Sequence, residues 1–317
     1  MNRTTLIAGL ITLVFLASCG SKSNKNKKER TDTYSSGVVA ITSDESFSPI
    51  IQQEIEIFEN TYPQAHIIPI YTSEVDALNL LFKDSVKVCI VARNATPKEL
   101  AYFTSKQQQP KITHIATDGI ALVVNRANKD TLISVDQFRK ILTGGITKWN
   151  QLGAKSVKGE ITLVFDNPNS STVRFAIDSV AKGKPLNEKI VRAKKTSKQV
   201  IEYVKNNKNA IGVVGVNWVE DGKDSTNTTY IDDVTIMSVS AEKLPSSVTC
   251  YKPYQYYLWS GEYPLTRNIY VWNNDPRQGL WWGFAQFLQG DKGQRIFLKA
   301  GLLPETQPVR LVDVNDN

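Results

Sequence analysis

The chain has 317 residues, of which 41% are hydrophobic and 22% charged, with 38 Lys and Arg against 31 Asp and Glu for a net charge of +7. That length supports two core-bearing domains at about 150 residues each. Arg3, together with five basic residues set against Glu29 and Asp32 between positions 19 and 36, supplies most of the excess and leaves +3 elsewhere, a balance that argues against a nucleic-acid partner.

Arg3 leads an apolar run from Leu6 to Leu16 and then Leu16-Ala17-Ser18-Cys19. The run is about half of the roughly 20 residues a spanning helix needs, so it reads as a secretory signal over residues 1–18. Its end resembles a bacterial lipobox, and that resemblance implies lipidation of Cys19; an ordinary signal cleaved nearby is the other reading. Residues 19–36 hold no apolar side chain before Tyr34 and read as a flexible tether. The remaining thiols, Cys89 and Cys250, leave two readings open, a disulfide permitted by export or small buried hydrophobes. His66 and His114 stand alone and no Cys-x-x-Cys or His-Glu-x-x-His occurs, so no metal and no cofactor is expected.

From Val38 the pattern alternates short apolar runs with helical periodicity. Val38 to Ile41 reads as a strand, and Ile51, Ile55 and Phe58 as a helix stopped at Tyr62-Pro63. His66 to Tyr71 and Val86 to Ala92 read as strands, Val75 to Phe82 as a helix, and Thr96-Pro97 opens another helix. Such alternation predicts an α/β fold of parallel strands covered on both faces. The alternation restarts after the strand Ile120 to Asn125: a helix over 135–142, a strand over 161–165, helices at 170 and 198–205, and a strand over 210–214. Asp221 to Thr229 reads as a surface excursion. Leu280, Phe284, Phe287 and Leu288 form the apolar face of a late helix flanked by Trp281. The aromatic piece Tyr251 to Trp259 reads as lobe packing.

Polar loops recur where strands end. Ser43-Asp44-Glu45-Ser46-Phe47, Tyr71-Thr72-Ser73-Glu74, Ala92-Arg93-Asn94 and Asp166-Asn-Pro-Asn-Ser170-Ser171-Thr172 each follow a strand. Unpaired amides and the dipole at a helix start favour anions, and small hydroxyls let an anion approach. Arg174 and Arg93 add planar donor forks suited to phosphate or carboxylate. Val173, Ile177 and Val180 read as the buried stripe behind Ser170. Taken alone, Ser170 reads first as a simple cap and Arg174 as surface charge; four such loops at strand ends point to a shared cleft.

The order of Asp118-Gly-Ile-Ala-Leu-Val-Val-Asn125, Phe138-Arg-Lys-Ile-Leu-Thr-Gly-Gly-Ile-Thr-Lys-Trp-Asn150, Ser170-Ser-Thr172, Ala210-Ile-Gly-Val-Val-Gly215, Tyr263-Pro-Leu265 and Gly293-Gln-Arg-Ile296 resembles the bacterial periplasmic phosphate-binding proteins of ABC importers. The resemblance implies a two-lobed, type II-like fold in which each lobe is an open sheet flanked by helices, with two hinge strands between them. It places lobe I at 37–119 plus 260–310, lobe II at 120–259 and a tail at 311–317. It implies a monomer, lipid-anchored on the periplasmic side of a bacterial envelope membrane, that captures inorganic phosphate and passes it to permease transmembrane subunits without catalysis. By position, Ser46 and Phe47 match the first ligand loop, Ser73 the second, and Ser170, Ser171 and Thr172 the third.

Departures from the family pattern bear on selectivity. Asp166 stands where many members carry arginine, and Val91-Ala92-Arg93 lacks their aspartate, which accepts the proton phosphate retains and repels sulfate. Glu74 is the first substitute acceptor and Asp118 the second. Other readings are binding of a different oxyanion or a small phosphorylated ligand, a sensor reusing the fold, and a serine-dependent phosphatase, although no Gly-x-Ser-x-Gly elbow occurs.

Overall fold

The computed structural model describes residues 31–222 and 229–308. The expected signal, Cys19, most of the tether, the 311–317 tail and most of the 221–229 excursion lie outside the described residues. Among those described, no helix is long and apolar enough to cross a membrane.

The first part runs β1 (Ser36–Asp44), a 3-10 turn (Glu45–Phe47), α1 (Ser48–Thr61), β2 (Gln64–Thr72), α2 (Glu74–Phe82), β3 (Val88–Val91), α3 (Pro97–Ser105) and β4 (Lys111–Val124). The middle part runs β5 (Leu132–Ser134), α4 (Val135–Thr143), β6 (Thr162–Phe165), α5 (Ser171–Phe175), a π-turn (Ala176–Val180), β7 (Val191–Ala193), α6 (Ser197–Asn206) and β8 (Ala210–Gly215). The last part runs β9 (Thr235–Ile236), β10 (Ser238–Ser240), α7 (Gln255–Ser260), β11 (Thr266–Asn273), α8 (Leu280–Gln289), α9 (Asp291–Lys299) and β12 (Leu303–Pro304).

Local chemistry explains the boundaries. Thr96 and Glu99 close a reciprocal capping box at the start of α3, and Ser134 and Gln137 do the same for α4. Gly144 ends α4 at φ 84°, a left-handed conformation that glycine adopts without steric cost. Residues 32–36, read as tether, lie against the body instead: Asp32 accepts the Leu280 amide at 2.9 Å, and the Tyr34 ring meets Tyr62 and Trp282.

The main sheet has the order β2-β1-β3-β11-β4-β8-β6-β7. β1 is parallel to β2 and β3, and β6 is parallel to β7 and β8, but β11 runs antiparallel to β3 and β4, and β4 antiparallel to β8. The expected all-parallel sheet is therefore mixed. Helical crossovers enforce parallel pairing, whereas β4, which pairs on both halves of the sheet, and β11 beside it run the other way. β4 lies along β11 over Lys111–Gly119 and along β8 over Ile120–Val124. Its first half escaped the sequence reading because Thr113, His114, Thr117 and Asp118 interrupt the apolar run.

One core joins Ile41, Phe47, Ile51 and Phe58 to Phe284, Leu288 and the β8 residue Val214; another surrounds Phe138, Leu142, Trp149, Phe165 and Ile211. Three packing expectations change. Val173 and Ile177 are only half-buried, and Phe175, Ala176 and Val180 face the core, because the π-turn rotates the face after a single α-turn. Phe287 is half-buried beside fully buried Leu280, Phe284 and Leu288. In the aromatic piece, Tyr251 and Tyr257 pack on the second core, whereas Tyr256 and Trp259 are exposed. Cys89 and Cys250 are free thiols, Cys89 fully buried.

Candidate functional site

The ends of β1, β2, β3 and β6 bring their loops together, as expected at the carboxyl edge of an open sheet. β1 delivers Asp44, whose Oδ1 accepts the Ser46 amide at 2.8 Å. Its Oδ2 accepts the Ser171 amide, also at 2.8 Å, from 127 residues away in the other lobe. The hydroxyls of Ser46 and Ser171 lie 3.3 Å apart. Asp44, Ser46 and Ser171 are fully buried.

Both hydroxyls are gathered by Arg267, from β11. Its Nη1 donates to Ser171 Oγ at 2.6 Å and its Nη2 to Ser46 Oγ at 3.1 Å. The same guanidinium donates to Asp118 Oδ2 at 3.0 and 2.8 Å and lies over the Phe47 ring, 4.4 Å from its centroid. Gly215 makes room for this: a Cβ there sits 2.9 Å from Asp118 Oδ2 and 3.0 Å from Arg267 Nη2. Burial raises the Asp118 carboxyl above its ordinary range, with Arg267 opposing the rise.

A second ion pair crosses between lobes. Glu74 accepts from Arg174 Nε and, at 3.1 Å, from Nη2, while Arg174 also donates to the Ala92 carbonyl at 3.0 Å. Glu74 accepts the Ala92 amide at 2.9 Å, so it is held by both lobes. Arg93 turns mainly to Glu99, with bonds of 2.7 and 2.6 Å, and approaches Glu74 only to 3.9 Å. Further ties run from Glu45 to the amide and hydroxyl of Ser197, and from the Ser46 carbonyl to Asn217 and Trp218.

Asp166 closes the floor. Its Oδ1 accepts from the hydroxyls of Ser170, at 2.5 Å, and Thr172, which lie 2.7 Å apart. Burial, then the nearby negative charge of Asp44, pushes its carboxyl up to about 7 despite those bonds. Glu45 is likewise raised, mainly by burial.

Ser46, Phe47, Asp118, Ser170, Ser171 and Thr172 thus gather in one buried cluster, and Glu74 and Arg174 form the ion pair beside it. Ser73 lies at the neighbouring loop, where the Val75 amide reaches Asn169 O at 3.4 Å, but its hydroxyl donates to Asp76 at 2.7 Å and accepts the Asp76 amide. Arg93 reaches the edge of the group. Sequence reasoning missed Arg267 and Asp44. Asp44 was visible as an acid in a loop already chosen; Arg267 had only its place two residues beyond Tyr263-Pro264-Leu265. Beside the cluster opens a crevice of about 230 Å³ lined by Arg93, Asn94, Arg174, Arg267, Asn268 and Tyr270 among others. The described residues contain no group of three or more His, Cys, Asp or Glu placed to hold a metal ion.

Known proteins of this kind share the architecture. The chain is 24% identical over 328 residues to the phosphate-binding protein PstS of Bacillus subtilis, covering 99% of both chains. It is 24% identical over 322 residues to that of Borreliella burgdorferi, covering 96% of this chain and 99% of the other. An ABC-type phosphate transport receptor from Vibrio cholerae superposes with a TM-score of 0.62 at 19% identity, over 84% of this chain and 100% of that one. The family model described as the PBP superfamily domain matches residues 27–292, and the chain belongs to that superfamily.

Proposed function

We propose that the protein is the substrate-binding component of an ABC importer and that it captures inorganic phosphate between its lobes. The observation that carries this reading is the donor set around Asp44: amides of Ser46 and Ser171, one from each lobe, hold two oxygens of one anion. Their hydroxyls and the Arg267 guanidinium stand one atom away. Such a set suits a tetrahedral oxyanion, with Ser170, Thr172, Ser73 and Arg174 extending it. Glu74 and Asp118 are already committed to arginines, which supports Asp166 over both as acceptor of the proton that phosphate retains.

In this reading lobe I comprises 37–119 with 260–310 and lobe II 120–259, with hinge crossings in β4 at Gly119–Ile120 and just before β11. Hinge closure buries the anion and presents a closed surface to the permease. The protein acts as a monomer, without catalysis, anchored by lipid on Cys19 at the periplasmic side of the envelope membrane. Against a serine hydrolase, His114 is engaged by Thr117 and Glu305 and His66 is exposed on β2, so neither supports a serine as general base.

Calorimetric titration with phosphate, arsenate, sulfate and a phosphate monoester tests the ligand. Saturable heats with phosphate and arsenate, none with sulfate, and no product from the ester are expected. Binding of sulfate alone, or ester turnover, refutes the reading. Fatty-acid labelling lost in Cys19→Ser tests the anchor.

A further inference from the structure

We propose that Asp44 is a built-in competitor for the anion: its carboxylate fills the donors that the phosphate reading assigns to the ligand and clamps the lobes, so an incoming oxyanion binds by displacing it. This rests on that reading. Capping the 3-10 turn explains one oxygen of Asp44, on the Ser46 amide. It does not explain the other, which crosses the cleft to Ser171.

The two amides cannot serve a carboxylate and a phosphate at once, because each N–H has one proton to give. The Asp44 side chain is covalently tethered beside them, so it competes at a high effective concentration without paying the entropy of association. Asp166 and Glu45 add to the cost of a second anion arriving while Asp44 stays: Asp44 contributes electrostatically to raising both carboxyls. Arg267 and Arg174 offer three-atom forks to the newcomer, but each already satisfies a buried carboxylate, Asp118 and Glu74. Displacement swings Asp44 off Ser171 and removes a direct tie between the lobes. Phosphate then restores it through its own oxygens. Asp44 therefore lowers the apparent affinity and lets the lobes meet through the chain's own side chain.

The test compares the full-length chain with Asp44→Ala and Asp44→Asn. Asn keeps the size but has one acceptor oxygen, so it holds one amide and not both. Inorganic phosphate is titrated calorimetrically, and amide hydrogen exchange is followed in phosphate-free buffer at Val75 and Ser197, which cross between lobes through other partners. Expected are phosphate binding about ten-fold tighter or more in Asp44→Ala and exchange at both remote amides about ten-fold faster or more, with Asp44→Asn between. Equal or weaker binding in both variants overturns the competitor and leaves the phosphate reading standing. If no version binds phosphate, that reading falls, and exchange alone decides the clamp: faster exchange supports it, unchanged exchange overturns it.

Discussion

Asp166→Asn isolates the most perturbed carboxyl of the cleft. Both of its hydroxyl partners, on Ser170 and Thr172, address the same oxygen, Oδ1, and the Asn amide oxygen replaces it with the same shape. The folded protein holds the Asp166 proton up to about pH 7, whereas an unfolded Asp releases it near ~3.9. Below ~4 both states are protonated and the contribution to stability is complete. Between ~4 and ~7 the folded state binds more protons, so stability is lost at about 1.4 kcal/mol per pH unit, roughly 4 kcal/mol in all. Above that both states are ionised and the effect is constant. The variant has no such loss, so it matches the wild type near pH 4 and exceeds it by roughly 4 kcal/mol at pH 8. Urea unfolding at half-unit steps from pH 4 to 8, followed by tryptophan fluorescence, measures the difference. Parallel stability curves across that range refute the reasoning.

Arg267→Met strands Asp118 as a buried charge, and urea unfolding is expected to show a loss of about 3–5 kcal/mol that Asp118→Asn on the same background partly restores. Gly215→Ala presses a methyl group against that ion pair and is expected to cost about 1–3 kcal/mol by the same assay. Glu54 is fully buried in α1, and neither carboxyl oxygen has a hydrogen-bond partner. Burial raises its carboxyl well above the ordinary range, so its stabilising contribution is complete below ~4.3 and is lost as pH rises toward its folded value. Glu54→Gln is expected to remove that decline, giving a higher melting temperature at pH 8 and little change at pH 4; an equal shift at both pH values contradicts it.

Much of the fold was legible because periodicity reports on burial wherever one face meets a core. α2, α4 and α6 fall within a residue of their expected bounds and α1 ends directly before its expected stop at Tyr62-Pro63, since their apolar stripes and caps agree. β11 and the first half of β4 were not legible. The first half of β4 alternates polar and apolar residues without a continuous apolar run, and both strands find their partners far away in sequence. The stripe at 173–180 misled because a π-turn alters the helical period that the reading assumed.

By itself the sequence determined the α/β alternation, the polar loops at strand ends and the hydroxyl-rich segment 170–172, since these depend on local propensity, capping and spacing. Only the tertiary structure decided which charges face one another. The pairing of Arg267 with Asp118, the reach of Asp44 to Ser171 and the salt bridge of Glu74 with Arg174 join positions 149, 127 and 100 residues apart. An ionic contact depends on separation in space and on exclusion of water, and neither is set until the chain packs.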